Sequence, residues 1–473
     1  MEFLLAIYFV FLFFAIIGVM IYRVSRGAPI LSLVHFFFFG FLIFQITSAA
    51  IMLGLRQYGE SGVNNPATSG TIYAAAVTIF LIIFAIGWKT KALTFGLQNR
   101  IGTNQAVPTS ATMMALAWGV LGSAALFRFV LAFIPIFSQL SLIIAAALAS
   151  AAVGLAAWAW ARHWGNPTFI VLFGMVLCTA IVMVIFQNFG RRDVASVLIA
   201  AVWGAFHGHF KHIPVRRAAL PFAAIATFGL ITLAAFTSAR SEKALQMSFA
   251  ETVTRLFSAN IVRGLIDMGT GQEAAGNSMY LIENRPDTMP YDPLHSMVYA
   301  ITQPVPRQFW EEKPNPLGLT MVPEMGITKK SPGYNVGPGI IGHIFNDNPY
   351  ICLWLYPLIF AALLRIGDDL VKKFAENPFI VVPLGVALAE ITALPRGELG
   401  LFLFRTVTAT ASAYVFLWVT AKVLVGLGLR YQAMPAEEAP PEEEFAEQTS
   451  DDLVDPQYAY SYGQEDASDH RTS

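Results

Sequence analysis

Long runs of apolar residues dominate this chain and restrict what it can fold into. A membrane-spanning helix needs about 20 consecutive, mostly apolar residues, and only helices and closed barrels satisfy every backbone hydrogen bond within lipid. Hydrophobic residues make up 56% of the 473 residues and charged residues only 13%, against roughly 25% charged in soluble domains. So few charges cannot cover the surface of a soluble protein of this size. The sequence therefore predicts an all-α, polytopic bundle of transmembrane helices.

The apolar runs predict about eleven spans. Their approximate bounds are 2–22, 28–54, 71–88, 110–136, 138–161, 168–187, 193–208, 217–237, 350–366, 378–394 and 399–428. The chain is apolar from Phe3 onward without a basic segment or a small-residue cleavage site, which indicates a retained first span. Four regions follow: N-terminal helices over 1–237, a large loop over 238–349, C-terminal helices over 350–430, and a tail over 431–473.

The short loops predict the orientation, because Lys and Arg concentrate on the cytoplasmic side of membrane proteins. With the N-terminus outside, about thirteen Lys and Arg residues fall in inside loops and about four in outside loops. This orientation places the large loop outside and the tail in the cytoplasm. A bacterial cytoplasmic membrane is the predicted location.

The tail, residues 431–473, differs in composition from the rest of the chain. It holds 12 Asp and Glu against one Arg, although the whole chain has a net charge of −1. Such a polar, acidic segment cannot bury a core and is predicted to be disordered. A solvated tail is the simpler interpretation, and a docking or regulatory segment is the alternative.

The large loop spans about 110 residues, whereas most connections have about 4–6. Its segment 304–314 reads Pro-Val-Pro-Arg-Gln-Phe-Trp-Glu-Glu-Lys-Pro, and prolines stiffen both of its ends. Arg binds phosphate through a bidentate fork and Lys adds a point charge, so Arg307 and Lys313 are candidate phosphate ligands. Trp310 is a candidate for stacking on a sugar ring. Alternatively, both cations pair with the two neighbouring glutamates as ordinary surface ion pairs.

A glycine-rich stretch over 331–343 precedes the ninth predicted span. Glycine allows a backbone to approach a ligand closely. His343 ends the stretch, and histidine can act as a base near neutral pH. The alternative is a histidine that caps a helix or lies at a helix interface.

A third group of charges lies around the last predicted span. Arg396 and Glu398 precede it, and Arg405 lies within it. An ionisable residue inside a membrane is costly and marks a functional site by default. Glu398 and Arg405 can share a helix face, so an internal Glu–Arg pair that joins helices is the alternative. Arg128, inside the fourth span, raises the same question with less support.

The string formed by Pro306, Arg307, Trp310, Lys313 and Pro314, in a large loop late in a polytopic chain, resembles bacterial oligosaccharide repeat unit polymerases. These are O-antigen polymerase-like membrane proteins. The resemblance covers roughly 260–430 and includes the stretch before the ninth span. An acidic residue is expected near position 343 in such proteins, where this chain has His343.

The resemblance implies glycosyl transfer at the outer face of the cytoplasmic membrane. A growing glycan on an undecaprenyl pyrophosphate carrier is passed to a second lipid-linked repeat unit, without a metal or other cofactor. The expected partners are the lipid-linked oligosaccharide, the membrane, and a chain-length regulator or flippase of the same pathway, with no nucleic acid.

Cations must stabilise the diphosphate leaving group when no metal does so, and one base serves the acceptor hydroxyl. His343 or Glu398 is the predicted catalytic base, and Trp310 the predicted sugar-stacking residue. The predicted pyrophosphate ligands are Arg307, Lys313, Arg396, Arg405, Arg263 and Arg285.

Two other functions fit the same composition. A transporter or flippase of lipid-linked sugars also needs cations within the membrane, but such proteins usually show internal repeats, and none is evident here. An envelope-assembly scaffold would use the acidic tail for binding. Deletion of residues 431–473 distinguishes a scaffold from a polymerase, since a scaffold loses its function and a polymerase keeps its chemistry.

Overall fold

The computed structural model is helical and shows no β-sheet in the residues that it describes. These are residues 1–58, 62–90, 108–134, 137–185, 191–213, 227, 229–239, 251, 254–255, 257–264, 273–327 and 334–427. Among them, eight helices are long and apolar enough to cross a membrane. This confirms the predicted class, an all-helical, multi-pass membrane protein, while the count of about eleven spans stays a prediction.

The helices are labelled in chain order. They are α1 Glu2–Ser25, α2 Leu33–Leu55, α3 Pro66–Lys89, α4 Ser110–Phe129, α5 Ser138–Arg162, α6 Pro167–Ile185, α7 Arg191–Gly208, α8 Gly229–Ala239, α9 Ala274–Asn284, α10 His295–Thr302, α11 Leu317–Glu324, α12 Gly339–Asp347, α13 Pro349–Lys373, α14 Pro378–Val386, α15 Leu388–Ala393 and α16 Leu399–Gly426.

The eight candidate spans lie at predicted places, in α1 to α6, α13 and α16. The span predicted over 193–208 is the helix α7, which begins with charged residues. The span predicted over 378–394 is two shorter helices, α14 and α15, since Pro383 removes a backbone donor and Gly385 favours the helix poorly. The span over 217–237 lies mostly outside the described residues, as does the tail.

Small residues bring the backbones of α5 and α7 close together. A Cβ atom on Gly204 would lie 2.1 Å from the carbonyl oxygen of Gly154, which leaves no room for a side chain. Membrane helices commonly associate through such contacts. Next to this contact, Trp203 donates its indole N–H to the carbonyl of Val381 at 2.8 Å. This bond attaches α14 to the pair.

Buried phenylalanines join α2, α3 and α13. The ring of Phe37 lies 5.7 Å from that of Phe84 and 5.9 Å from that of Phe360, measured between ring centroids, and both pairs are nearly parallel. Offset aromatic pairs contribute about 0.5–1.5 kcal/mol beyond the area they bury. The stack fixes the helices that support the large loop.

The connections gather at two opposite ends of the bundle. Among the described residues, the loop face carries 56–58, 62–65, 273–327, 334–348 and 394–398, and the opposite face carries 26–32, 163–166, 209–213 and 374–377. At the loop face, Glu283 of α9 accepts the backbone N–H groups of Asn64 and Asn65, each at 2.8 Å. The described part of the large loop therefore folds onto one end of the bundle.

Candidate functional site

His343 and Glu398, the two predicted base candidates, meet at the loop face. His343 lies in α12 and is fully buried, and Glu398 precedes α16 and is 4% exposed. Nε2 of His343 lies 3.8 Å from Oε1 of Glu398. The other oxygen, Oε2, accepts the backbone N–H of Gly318 at 3.1 Å, whereas Oε1 has no hydrogen-bond partner among the described residues. Glu398 thus keeps one oxygen available for a proton.

Hydrogen bonds on both ring nitrogens orient His343. The backbone N–H of Leu399 donates to Nε2 at 3.0 Å, so Nε2 carries no proton. The proton is therefore on Nδ1, which donates it to Oγ of Ser296 at 2.7 Å. His343 in this way joins α10 to the first turn of α16.

Burial sets the protonation of the pair. It lowers the pKa of His343 to about 3, with a smaller contribution from the charge of His295. It raises the pKa of Glu398 to about 7, and the backbone donor Gly318 opposes this shift. General acid–base catalysis works best with a pKa near the working pH. Of the two candidates, Glu398 has the more suitable pKa.

Asp347 completes this buried polar group and was not among the predicted site residues. Its carboxylate accepts the backbone N–H of Ser296 at 2.9 Å, the amide of Asn346 at 3.0 Å and the phenol of Tyr356. Burial raises the pKa of Asp347, and these donors oppose the rise. The Asn-Asp-Asn run over 346–348 was the signal that could have identified it, since it interrupts an apolar stretch.

Gln45 is a second residue that the sequence interpretation missed. It is fully buried in a π-helical segment of α2, a feature frequent at functional sites. Tyr73 donates to its side-chain oxygen at 2.6 Å, and its amide donates to the carbonyl of Pro395. A Cβ atom on Gly339 would lie 2.3 Å from its Nε2. Gly339 therefore lets the start of α12 lie against Gln45, while the predicted approach of the glycine-rich stretch to a ligand stays a prediction.

The segment 304–314 folds on itself through its two cations. Arg307 donates to two backbone carbonyls at 3.2 and 3.3 Å and to the side chain of Asn315 at 2.7 Å. Lys313 is 8% exposed, and its Nζ donates to two backbone carbonyls at 3.1 and 3.0 Å. Burial lowers the pKa of Lys313, as does the charge of Arg307. The cations bond to backbone carbonyls, and the predicted alternative of pairs with the neighbouring glutamates is not formed.

His295 connects this segment to the buried polar group. Its Nε2 lies 3.0 Å from the carbonyl oxygen of Asn315, its Nδ1 lies 2.6 Å from the carboxylate of Asp292, and its ring stacks on Tyr299. Burial and the charge of Glu398 raise the pKa of Tyr299 to about 12. Trp310 lies beyond this connection and is 38% exposed, so part of its ring remains accessible.

The remaining predicted phosphate ligands have separate surroundings. Arg396 lies over the ring of Phe44, with 5.6 Å from the guanidinium carbon to the ring centroid. Arg285 lies 4.0 Å from Glu324 and donates to the carbonyl of Pro290. Arg263 is exposed on a short helical turn.

Arg405 lies inside the bundle among other charges. Its Nη2 donates to Oδ1 of Asp193 at 2.8 Å, and its Nε lies 2.8 Å from Oε1 of Glu390. Arg192 lies 3.4 Å from the second oxygen of Glu390. These four residues form the buried charge cluster, in which the two acids are each 6% exposed and the side chain of Arg192 is 37% exposed. The predicted alternative was an internal pair of Arg405 with Glu398, and the structure pairs Arg405 with Glu390 and Asp193 instead.

Within the described ranges, no three His, Cys, Asp or Glu side chains converge in a way that holds a metal ion. The expectation of metal-independent chemistry stays a prediction. No protein family model, curated protein or solved structure matches this chain. Fold and site together define a helical, multi-pass membrane protein with a buried acidic centre at one end, and its function has to be inferred from its own residues.

Proposed function

We propose that this protein polymerises lipid-linked oligosaccharide repeat units by metal-independent glycosyl transfer at the outer face of a bacterial cytoplasmic membrane. The product is an O-antigen, a capsule or an exopolysaccharide. The observation that carries the proposal is the unengaged Oε1 of buried Glu398, next to a folded segment that holds Arg307 and Trp310. The resemblance of that segment to repeat unit polymerases supports the same chemistry.

The distribution of cations supports an orientation with the loop face outside and the tail in the cytoplasm. At or near the opposite face lie Arg23, Arg26, Lys89, Arg162, Lys211, Arg365, Lys372 and Lys373. The short connections of the loop face and the adjoining first turn of α7 carry fewer, namely Arg56, Arg191, Arg192 and Arg396.

Glu398 is the general base in this proposal. Its Oε1 takes the proton of an acceptor sugar hydroxyl while the hydroxyl oxygen forms a bond to the anomeric carbon of the donor. The bond from that carbon to the lipid diphosphate breaks, and the diphosphate leaves with the negative charge. The proton then passes from Glu398 to water. His343 positions Glu398 and the first turn of α16.

Arg307 and Arg396 are the cations that stabilise the departing diphosphate in this proposal. Arg307 is exposed, and its guanidinium is already oriented by Asn315 and two carbonyls. Donors fixed before the reaction stabilise developing charge without reorganisation. Lys313, Arg285 and Arg405 bond mainly within the protein and hold this framework. Arg263 is a further candidate, and Trp310 offers its exposed ring face to a sugar.

The direct experiment replaces Glu398 by Gln, which keeps the size of the side chain and removes the base. Membranes containing the variant, supplied with labelled lipid-linked repeat units, should form polymer about 10²- to 10⁴-fold more slowly, as read from the product ladder on a gel. Glu312→Gln is the matched control, because Glu312 is an exposed acid of the same loop. A normal ladder from Glu398→Gln would refute the assignment.

A second candidate, transport of lipid-linked oligosaccharides across the membrane, is favoured by the buried charge cluster. Charges at such positions mark translocation pathways in many membrane proteins. Proteoliposomes distinguish the two functions. A transporter moves a fluorescent lipid-linked sugar between leaflets without lengthening it, and Arg405→Gln slows that movement.

A further inference from the structure

Arg128 is a buried cation that the proposed chemistry does not use. It lies in the last turn of α4 and is 8% exposed. Its Nη2 has no hydrogen-bond partner in the described part of the chain. Because an unpaired charged donor is unfavourable in a buried position, this atom points to a missing acceptor.

A small cavity lies beside Arg128, between α4, α5, α6 and α7. Its other walls are apolar side chains of α5 and α6, together with Asp193 of α7. Arg128 is in the last turn of α4 and Asp193 in the first turn of α7, and the wall from α6 comes from that helix's last turn. The cavity thus lies near one end of the bundle, at the level where these helices begin or end.

Arg128 and Asp193 are the charged residues that line this cavity, and Asp193 also pairs with Arg405 of the buried charge cluster. The charges of this larger group do not balance. Arg128, Arg192 and Arg405 are positive, and Asp193 and Glu390 are negative, which leaves one positive charge in excess among these five residues. Asp193, the acid whose charge acts on Arg128, already accepts a hydrogen bond from Arg405 at 2.8 Å. A single negative charge from outside the protein would both neutralise the excess and meet Nη2 of Arg128.

We infer that Arg128 and this cavity bind one phosphate group, distinct from the centre around Glu398. Arginine binds phosphate through two parallel N–H donors. Arg128, whose Nη2 has no partner among the described residues, lines a cavity with room for about one water molecule, which is the size of a single phosphate oxygen. The phosphate comes from the headgroup of an anionic lipid or from free inorganic phosphate. The inference holds whether or not the chain is a glycosyltransferase.

The test uses the purified full-length protein and its Arg128→Gln variant. Native mass spectrometry counts the lipids retained from mixed vesicles of phosphatidylglycerol and phosphatidylcholine, and a melting curve with and without inorganic phosphate measures the free ion. We expect the wild type to bind phosphatidylglycerol or phosphate at least about tenfold more tightly than Arg128→Gln. Arg162→Gln is the control, because Arg162 is a half-buried arginine paired with Glu376 at the opposite face.

The mass spectrometry and the melting curves distinguish the two sources of the phosphate. A difference between wild type and Arg128→Gln in retained phosphatidylglycerol identifies a lipid phosphate, and a difference in the phosphate-dependent melting temperature identifies the free ion. Equal behaviour in both arms overturns the inference. If Arg128→Gln does not fold, lipid retention by the wild-type protein alone tests the inference. Bound phosphatidylglycerol that inorganic phosphate displaces supports the site, and retention without preference over phosphatidylcholine overturns it.

Discussion

Two glutamates at opposite ends of the bundle show how differently one side chain can be placed. Glu398, at the loop face, is 4% exposed and keeps one carboxylate oxygen unengaged. Glu376, at the opposite face, is half exposed and pairs with Lys211, with Arg162 at 3.8 Å and with His212 at 3.5 Å. Burial raises the pKa of Glu398 to about 7. Burial acts in the same direction on Glu376, but His212 and Lys211 outweigh it and lower its pKa to about 2.

The difference separates a carboxyl whose pKa lies near neutrality from one that is held ionised by its neighbours. Glu376 pairs with Lys211 and with Arg162 and lies beside His212, so it stays ionised and holds helix ends together. Glu398 lies beside neutral His343, burial raises its pKa to about 7 and the charge of His295 opposes the rise only in part, so its proton can exchange near neutral pH. A buried carboxyl with a shifted pKa, such as that of Glu398, is the better candidate for chemistry.

The pH dependence of polymerisation should give the largest difference between the two acids. A base must be deprotonated to act, so the rate should fall roughly tenfold for each pH unit below about 7. Initial rates measured in membranes between pH 5 and 8 check this, with Glu376→Gln as a control that keeps the same profile. A rate that stays constant down to pH 5 contradicts the role of Glu398.

Replacement of His343 by Gln should have the next largest effect. The change removes the bonds to Ser296 and Leu399, and a displaced base can cost up to about 100-fold in rate. Water then reaches Glu398, so its apparent pKa should fall below about 7. The pH–rate profile separates this from a general loss of folded protein.

His209→Gln, at the opposite face, is the control for His343→Gln. It should leave both the rate and the profile unchanged. If His343→Gln lowers the rate while the profile stays at the wild-type position, His343 supports the fold and does not tune Glu398.

The stability of the two ends should respond to pH in opposite directions. The folded pKa of Glu376 lies below its ordinary 4.5, so its contribution is present above pH 4.5 and is lost as pH falls towards about 2. The folded pKa of Glu398 lies above its ordinary value, so its contribution is present below pH 4.5 and is lost as pH rises through about 7. Melting temperatures of the detergent-solubilised protein across pH, compared with Glu376→Gln and Glu398→Gln, test each half separately.

In the melting series across pH, each Gln variant should lose only the part of the pH dependence that comes from the acid it replaces. Glu376→Gln should flatten the acid limb and leave the limb near neutral pH unchanged. If both variants change the same limb, the two acids are not independent.

Arg162→Gln should have the smallest effect. Its contact with Glu376 at 3.8 Å is long, and the glutamate is half exposed, so the free energy of unfolding should change by less than about 1 kcal/mol. Denaturant titration measures the change, with Arg26→Gln as an exposed control. A loss of several kcal/mol would mean that Glu376 depends on Arg162 more than on Lys211.

Sequence reasoning located the eight candidate spans because the signal for a span is local. A run such as residues 2–22 contains in itself the hydrophobicity and the length that lipid demands. The same reasoning identified Glu398, His343 and Arg405 as unusual, since each interrupts an apolar or glycine-rich stretch. It did not identify what they contact. Arg405 pairs with Asp193, 212 residues away, and no residue spacing in the sequence predicts that pair.

The missed residues show the same limit. Gln45 is one amide in an apolar helix, and it contributes because α2 packs against Pro395, 350 residues later. Asp347 lies within an evident polar run, but its contact with Ser296 comes from a separate short helix. Arg307 and Lys313 were expected to face a ligand, and the folded loop directs them largely to its own carbonyls.

By itself, the sequence determined that this chain is a helical membrane protein, because the transfer of apolar side chains into lipid depends only on short segments. The tertiary structure alone decided which carboxylate is left with a free oxygen and which is surrounded by cations. Partners for a buried polar group come from distant helices, and their approach is set by the packing of glycines, alanines and aromatic rings that no single segment contains.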